Sequence, residues 1–404
     1  MSLRRKLAVI ALVYVLEGFP MGIFRDLLPV YFRRHDVPLP AFGWLSFLYI
    51  AWSAKVMWSP LVDRFGERRH WIAGAMGTMA ICCLGLASVD EPAALGVFLW
   101  VCIGLYCLAS ATQDVAIDAY SIGLADRGEE GPFNSMKATA YRIGVLVAGG
   151  GLFFLPRFVG WDGTFVVAAG LSLAFAVSVH FAPAVPVPRE SRAATLAPLR
   201  RWLSQGGALP VFLFVLLYRV GDQAMGPMVK PFLVDRGFLD EEIGLINMAF
   251  GVGATIAGAV LGGICVARFG IGRMLWWMGG IALASNLGYA AAAGFPETGR
   301  VGVYAASAVE SFTAGLAAAA FLSYLMRIAE KQHAAVQYAL LTAVYALAGS
   351  FIGLPSGWLT ERIGYAAYFA LTAGLALPAF AFLPRARRWI GYEPGDVSTE
   401  SAPG

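Results

Sequence analysis

The sequence predicts an all-α polytopic membrane protein with twelve transmembrane helices in two pseudo-symmetric six-helix bundles. Of its 404 residues, 58% are hydrophobic and only 14% are charged, and the mean hydropathy is +0.66. This composition excludes an ordinary soluble domain. Apolar runs long enough to cross a bilayer recur along the whole chain. The second half also repeats features of the first half at one constant offset.

Hydropathy and turn signals place the twelve spans. They cover 7–31, 42–62, 71–89, 93–124, 137–156, 163–184, 210–234, 242–267, 273–294, 300–328, 336–358 and 365–384. The predicted domains are an N-terminal bundle over 1–184, a cytoplasmic linker over 185–209, a C-terminal bundle over 210–388 and a disordered cytoplasmic tail over 389–404. The linker is rich in proline and arginine, which suits a connection between bundles.

Lysine and arginine predict the orientation in the membrane. With the N-terminus inside, the inner segments carry 19 of these residues and the outer loops carry 6. This bias predicts that both termini are cytoplasmic. Arg4, Arg5 and Lys6 precede the first span, and no cleavage site of small residues follows. The first span is therefore expected to stay as part of the mature multi-pass protein.

The repeat appears when the chain is shifted by 204 residues. Tyr14 then matches Tyr218, Tyr141 matches Tyr345, and the triplet Arg64-Phe65-Gly66 matches Arg268-Phe269-Gly270. A direct repeat of six spans implies two bundles related by an axis along the membrane normal. The buried charges do not repeat, since Asp114 matches Ala318. Because a substrate is asymmetric, we interpret charges that occur in one half only as candidates for a functional site.

Span four carries two carboxylates in an otherwise apolar run. Asp114 and Asp118 are four residues apart, so they lie one turn apart on one helix face. A charge near the middle of a membrane helix costs about 2.5–3.5 kcal/mol, and intramembrane acids are functional by default. The alternative is a structural anchor that a neighbouring helix satisfies. We predict a proton-coupling group of Asp114, Asp118, Glu17 and Arg142, with Arg142 as the partner of one aspartate.

Spans one and seven combine charges with helix-breaking residues. Proline and glycine interrupt both spans, which is tolerated where a helix lines a cavity. Arg219 and Lys230 are eleven residues apart, nearly on one face, and either form a cationic stripe for an anionic solute or pair with acids opposite. For Lys55, Arg25 and Asp26, the alternative is a side chain that extends to the membrane interface. The predicted substrate-binding residues are Gln113, Tyr141, Tyr218, Arg219, Asp222, Lys230 and Glu310.

The loop between spans two and three reads Ser59-Pro-Leu-Val-Asp63-Arg64-Phe-Gly66-Glu-Arg68-Arg69. It resembles the loop signature of the major facilitator superfamily. We predict a cytoplasmic gate formed by Asp63, Arg64, Gly66, Arg68 and, from the repeated copy, Arg268. The alternative is a charged turn that only sets topology, and this is the better interpretation of the second copy, where Ala267 replaces the acid.

Four further stretches extend the resemblance over nearly the whole chain. They are Trp58-Ser-Pro-Leu-Val-Asp63, Ala111-Thr-Gln113-Asp114-Val-Ala-Ile-Asp118, Tyr141-Arg142-Ile-Gly144 and Tyr218-Arg-Val-Gly221-Asp222. These stretches resemble the AmpG-type branch of the superfamily, the peptide/acetyl-coenzyme A transporter family. The resemblance implies proton-coupled uptake of muropeptides, or of siderophores in shorter relatives, across the bacterial inner membrane.

We therefore predict a proton-coupled secondary transporter that works by alternating access and imports a medium-sized polar or anionic solute. The alternatives are an exporter of an organic anion or drug-like compound and, more remotely, a membrane enzyme or sensor on the same fold. No nucleotide-binding or hydrolase motif occurs, and the four histidines are dispersed. We expect no enzyme activity, cofactor, metal or nucleic acid, and a functional monomer whose partners are a small-molecule substrate, protons and the bilayer.

Overall fold

A computed structural model describes residues 1–126, 129–185, 208–328 and 334–389. The predicted linker lies outside these residues except for its ends, and so does the predicted tail beyond residue 389. The domain boundaries drawn from the sequence therefore stay a prediction.

The described residues form twelve helical segments and no β-strand. In chain order they are α1 (Leu3–Arg34), α2 (40–64), α3 (Arg68–Ala87), α4 (Val97–Leu124), α5 (Glu130–Gly149), α6 (Pro156–Phe181), α7 (Ala208–Asp235), α8 (Asp240–Phe269), α9 (Ile271–Gly294), α10 (Gly299–Ile328), α11 (Ala334–Gly353) and α12 (Ser356–Arg388). Eight of them are long and apolar enough to cross a membrane by themselves. The number and order of the segments agree with the predicted spans.

Several segments are interrupted, and one interruption places a charged residue within an apolar segment. The segment α2 consists of Pro40–Phe47, Ile50–Ala54, a 3₁₀ turn at Lys55–Met57 and Ser59–Arg64. The sequence did not indicate this break. It matters for function, because the 3₁₀ turn carries Lys55 in the middle of the segment.

Two other segments contain π-helical stretches, at Ile23–Leu27 in α1 and at Asn247–Ala254 in α8. Such stretches are frequent at functional sites. The interruption of α7 lies beside Arg219, at the first of the stretches that the sequence indicated. The helix Val220–Asp235 runs through both of its prolines, and the interruption lies just before it, where Tyr218 and Arg219 leave the helix ending at Leu217.

The segments form two compact units that do not simply follow chain order. Among the described residues, the first unit contains 1–38, 48–185 and 230–248, and the second contains 39–47, 208–229 and 249–389. Each unit thus includes one short piece from the other half of the sequence. In the first unit, Arg33 and Arg34 of α1 form ion pairs with Asp235 and Asp240.

Glycine permits very close helix contacts in the first unit. A Cβ atom at Gly18 of α1 would meet the carbonyl oxygen of Tyr141, and one at Gly144 of α5 would meet that of Val15. Small residues allow the backbones of membrane helices to approach closely in this way. The contact holds α1 against α5 and determines which α5 side chains face α1.

A charged contact joins the beginning of α1 to the connection between α4 and α5. Lys6 is nearly buried and forms ion pairs with Asp126 and Glu129. Its ammonium group lowers the pKa of both carboxyl groups, chiefly through the side-chain hydrogen bonds. Both acids are thus kept ionised, and the first helix is held at this end of the unit.

The second unit offers a matched test of close packing on one helix. A Cβ at Gly258 would meet the carbonyl oxygen of Phe312 on α10, whereas one at Gly263 would meet nothing within 4 Å. We expect Gly258→Ala to lower the free energy of unfolding by about 1–3 kcal/mol, because the helices must move apart. Gly263→Ala should be neutral or slightly stabilising. Thermal unfolding in detergent measures both, and equal effects would contradict the packing argument.

Candidate functional site

The centre of the charged site is an ion pair between α2 and α4. The Lys55 ammonium pairs with the Asp114 carboxylate, and the exposed fractions of the two side chains are 29% and 15%. The 3₁₀ turn of α2 places Lys55 here. Next to the pair, Trp58 donates a hydrogen bond to the Thr112 hydroxyl over 3.1 Å. Asp114 therefore has the compensating charge that an acid in an apolar helix requires.

A second carboxyl group joins this pair from α1. Glu17 interacts electrostatically with Asp114 and with Lys55, and its Oε2 is buried without a hydrogen-bond partner among the described residues. Two neighbouring carboxylates repel each other, and a proton on one of them removes this repulsion. The single ammonium of Lys55 neutralises one of the two acids. The arrangement can therefore hold one exchangeable proton.

Asp118 occupies a different environment from Asp114, although both lie on one face of α4. Asp118 is exposed and accepts a hydrogen bond of 2.8 Å from the Tyr14 hydroxyl. It forms no ion pair with a described residue. Tyr14 itself is buried and also lies 3.3 Å from the Ser121 hydroxyl.

The expected pairing of Arg142 with Asp114 or Asp118 is wrong. Asp114 binds Lys55, Asp118 binds Tyr14, and Arg142 has no ion pair with any residue that the structure describes. The physical reason is the rotation of α5. Gly144 faces α1, so Arg142, two residues earlier, lies about 160° away around the helix.

Gln113 and Tyr141 adjoin the same group of charges. Gln113 is fully buried and donates to the carbonyl of Leu16 over 3.0 Å, so its amide ties α4 to α1. The Tyr141 phenol is close enough to Glu17 to interact with it electrostatically. Both residues therefore lie beside the charged site, Gln113 in its wall and Tyr141 next to a carboxyl group.

A second charged group of the first unit involves Lys230. Its ammonium lies 3.5 Å from the Asp26 carboxylate and also binds the side chain of Asn247. Asn247 in turn donates to the carbonyl of Gly149 at the end of α5, over 2.8 Å. Asp26 is buried, so it does not extend to an interface. This network includes residues of both π-helical stretches.

In the second unit, Arg219 forms an ion pair with a nearby acid. Its guanidinium binds Asp222 at 3.0 and 3.1 Å and interacts electrostatically with Glu310. Tyr218 is buried and donates to the carbonyl of Leu275 over 2.8 Å. Of the two interpretations of Arg219 and Lys230, the structure favours pairing with acids, because each cation has its own carboxylate.

The predicted gate residues are described only in part. Nothing is described of the side chains of Asp63 and Arg64. Gly66 has a φ of +70°, a left-handed conformation that side-chain-bearing residues rarely adopt. Arg68 is buried and its guanidinium lies against Gly123 of α4. Arg268 stacks on the Phe269 ring at 5.4 Å, so this second copy does not show the contacts of a latch.

Three residues of the site are not among those predicted from the sequence. They are Lys55, Tyr14 and Lys137, of which the sequence indicates only that Lys55 lies in an apolar span and that Tyr14 belongs to the repeat. The Lys137 ammonium lies over the Tyr14 ring, 5.1 Å from its centre. A signal for Lys137 was present, because it precedes Tyr141 by four residues and Gly144 by seven, which places all three on one helix face.

A family model described as Major Facilitator Superfamily matches residues 10–354. The chain belongs to the major facilitator superfamily. It is therefore a multi-pass membrane transporter and not an enzyme, as the sequence predicted.

Among curated proteins, this facilitator is similar to the anhydromuropeptide permease of Escherichia coli K12. The two are 29% identical over 95% of this chain and 80% of the permease. It is also 26% identical to the putative transporter AmpG 4 of Rickettsia conorii, over 94% of this chain and 95% of that protein. These relatives confirm the resemblance to the AmpG-type branch and place the protein in a bacterial inner membrane.

Solved structures confirm the fold. A bacterial homologue of the human lysosomal transporter Spinster, in an inward-facing and unoccupied conformation, matches with a TM-score of 0.74 at 13% identity, over 96% of this chain and 97% of that one. The nucleoside transporter NupG matches with a TM-score of 0.72 at 17% identity, over 97% and 100%. At these identities the likeness concerns the fold alone. It fits the predicted twelve-helix architecture.

The ion pair of Lys55 and Asp114 is open to a double-mutant test. We expect Lys55→Gln to lower the free energy of unfolding by about 1–3 kcal/mol, because it leaves a largely buried carboxylate without its cation. Adding Asp114→Asn removes that uncompensated charge, so the double mutant should regain most of the loss. Thermal unfolding of Lys55→Gln, Asp114→Asn and the double mutant in detergent measures the coupling. A double mutant no more stable than Lys55→Gln would contradict the pairing.

Proposed function

We propose that this facilitator couples the inward movement of protons to the uptake of muropeptides, which are sugar–peptide fragments of the cell wall. The observation that supports this proposal most directly is the group formed by Glu17, Asp114 and Lys55. In it, two carboxyl groups lie near one ammonium, so one proton is needed to balance their charge. The proposed solute class is supported by the relatives named as muropeptide permeases.

The coupling follows from the charge balance of this group. With one proton present, Lys55, Glu17 and Asp114 are together neutral, which suits a low-dielectric interior. The exposed Asp118 carboxyl group also interacts electrostatically with these three residues. When the proton leaves, two carboxylates that share one cation repel each other. Release of the proton therefore favours a conformation in which α1 and α4 separate at this point. Such a difference in stability between two conformations lets a proton gradient drive a transport cycle.

The proposed direction is from the periplasm to the cytoplasm, with both termini in the cytoplasm. The excess of lysine and arginine in the connections on one side of the membrane supports this orientation. We propose muropeptides rather than siderophores as the solute, because the named relatives point to the former.

Carboxamide variants in proteoliposomes test the coupling. Glu17→Gln and Asp114→Asn each fix one carboxyl group in a neutral form that no longer titrates. We expect both variants to exchange labelled anhydromuropeptide across the membrane at equal pH on both sides. Neither should accumulate it in response to a pH gradient. For one proton per neutral solute, wild-type accumulation should approach about tenfold for one pH unit.

Glu297→Gln is the control, because Glu297 is an exposed acid in the turn before α10. It should accumulate the solute as the wild type does. Accumulation in proportion to the gradient by Glu17→Gln and Asp114→Asn would show that the proton travels elsewhere. Asp118→Asn is the comparison that reports whether the exposed aspartate also takes part.

A further inference from the structure

Tyr14 lies between two charges of opposite sign, and neither forms an ion pair within 4 Å with a described residue. The Asp118 carboxylate also interacts electrostatically with Lys55 at longer range. Its hydroxyl donates to the exposed carboxylate of Asp118 on α4. The ammonium of Lys137 on α5 lies over the Tyr14 ring, 5.1 Å from the ring centre. The buried phenol thus keeps a carboxylate and an ammonium apart and presents them on neighbouring helices.

The close packing of α1 and α5 explains why Lys137 is held in this position. Lys137, Tyr141 and Gly144 lie on one face of α5, and Gly144 touches the backbone of α1 near Val15 and Phe19. Lys137 is therefore directed at Tyr14, one helix turn before Gly18. A side chain that merely extended to the membrane interface would have no reason to lie on this ring.

The charges lie well inside the helical ends. Asp118 is six residues before the end of α4 at Leu124, and Lys137 is seven residues after the start of α5 at Glu130. At 1.5 Å per residue both lie about 10 Å from these ends. They therefore occupy one level of the unit, where charges that no ion pair neutralises are costly unless a ligand or water compensates them.

Three other cations of the helices are already paired with an acid. Arg219 binds Asp222, Lys230 lies next to Asp26, and Lys55 binds Asp114. An ammonium that lies over an aromatic ring is held more weakly than one that forms a charge-assisted hydrogen bond. Lys137 can therefore exchange its ring contact for a carboxylate at small cost.

We infer that Lys137 binds a carboxylate of the transported solute, and that Asp118, on the other side of Tyr14, binds an ammonium group of the same solute. The site would thus select a zwitterionic head, such as the one that a peptide offers. This inference rests on the proposed function and deepens it, because it assigns the recognition of the peptide part. It leaves Glu17 and Asp114 to carry the proton.

Three forms of one probe test this assignment. They are an anhydromuropeptide whose peptide carries free carboxylates and a free amino group, the same compound with its carboxylates converted to amides, and the same compound acetylated on its amino group. Binding to the purified transporter is measured in detergent. The wild type should bind the free form about 10- to 100-fold more tightly than the amide, as expected for a charge-assisted contact.

Lys137→Gln should remove this preference for the free acid, while Lys137→Arg should retain most of it. Asp118→Asn should remove the preference for the free amine. The control Arg273→Gln removes one charge at an exposed position at the start of α9 and should leave all three affinities unchanged. Thermal unfolding verifies that each variant is folded before its binding is measured.

The outcomes separate the two proposals. If the wild type binds the three forms equally, or if Lys137→Gln weakens all three by the same factor, Lys137 has only a structural or charge-balancing role, and this inference is overturned while muropeptide transport stands. If the wild type neither binds nor transports any of the three forms, the proposed function fails, and the inference fails with it.

Discussion

The compensation of buried carboxylates is the constraint on which the first unit depends. An ionised acid inside an apolar helix is stable only with a cation, a proton or water beside it. Asp114 has its compensating cation from outside α4, namely Lys55 from α2, and Glu17 from α1 lies beside the pair. The interruption of α2 follows the same constraint, because the 3₁₀ turn carries Lys55. Three segments thus meet around one carboxylate.

Close backbone packing and charge placement are linked in this protein. Gly18 and Gly144 let α1 and α5 approach until side chains two turns away also meet. The same contact brings Tyr141 near Glu17 and directs Lys137 onto Tyr14. A change at either glycine would therefore affect stability and the charged site together. This joint role explains how a helix contact made of small residues determines where polar side chains lie.

The charges that form ion pairs and the charges that form none have different roles in this interpretation. Arg219 and Lys230 have carboxylates beside them, so each contributes to the structure or to conformational change before it contributes to the attraction of an anion. Lys137 and Asp118 have no ionic partner among the described residues and can bind a solute without first breaking an ion pair. A transporter must bind its solute and also release it, and weakly held charges suit both steps.

The sequence by itself determined the features that depend on local order along the chain. Apolar runs predicted the twelve helical segments, and the four-residue spacing of Asp114 and Asp118 predicted their shared face, because helix length and periodicity are local properties. The loop at Asp63–Arg69 and the Gln113-Asp114 motif indicated the family for the same reason. Only the tertiary structure decided the partners. Lys55 is 59 residues from Asp114, and the rotation of each helix within the bundle selects which side chains meet. That rotation depends on contacts such as Gly144 against Val15, which no pattern within a single helix reveals.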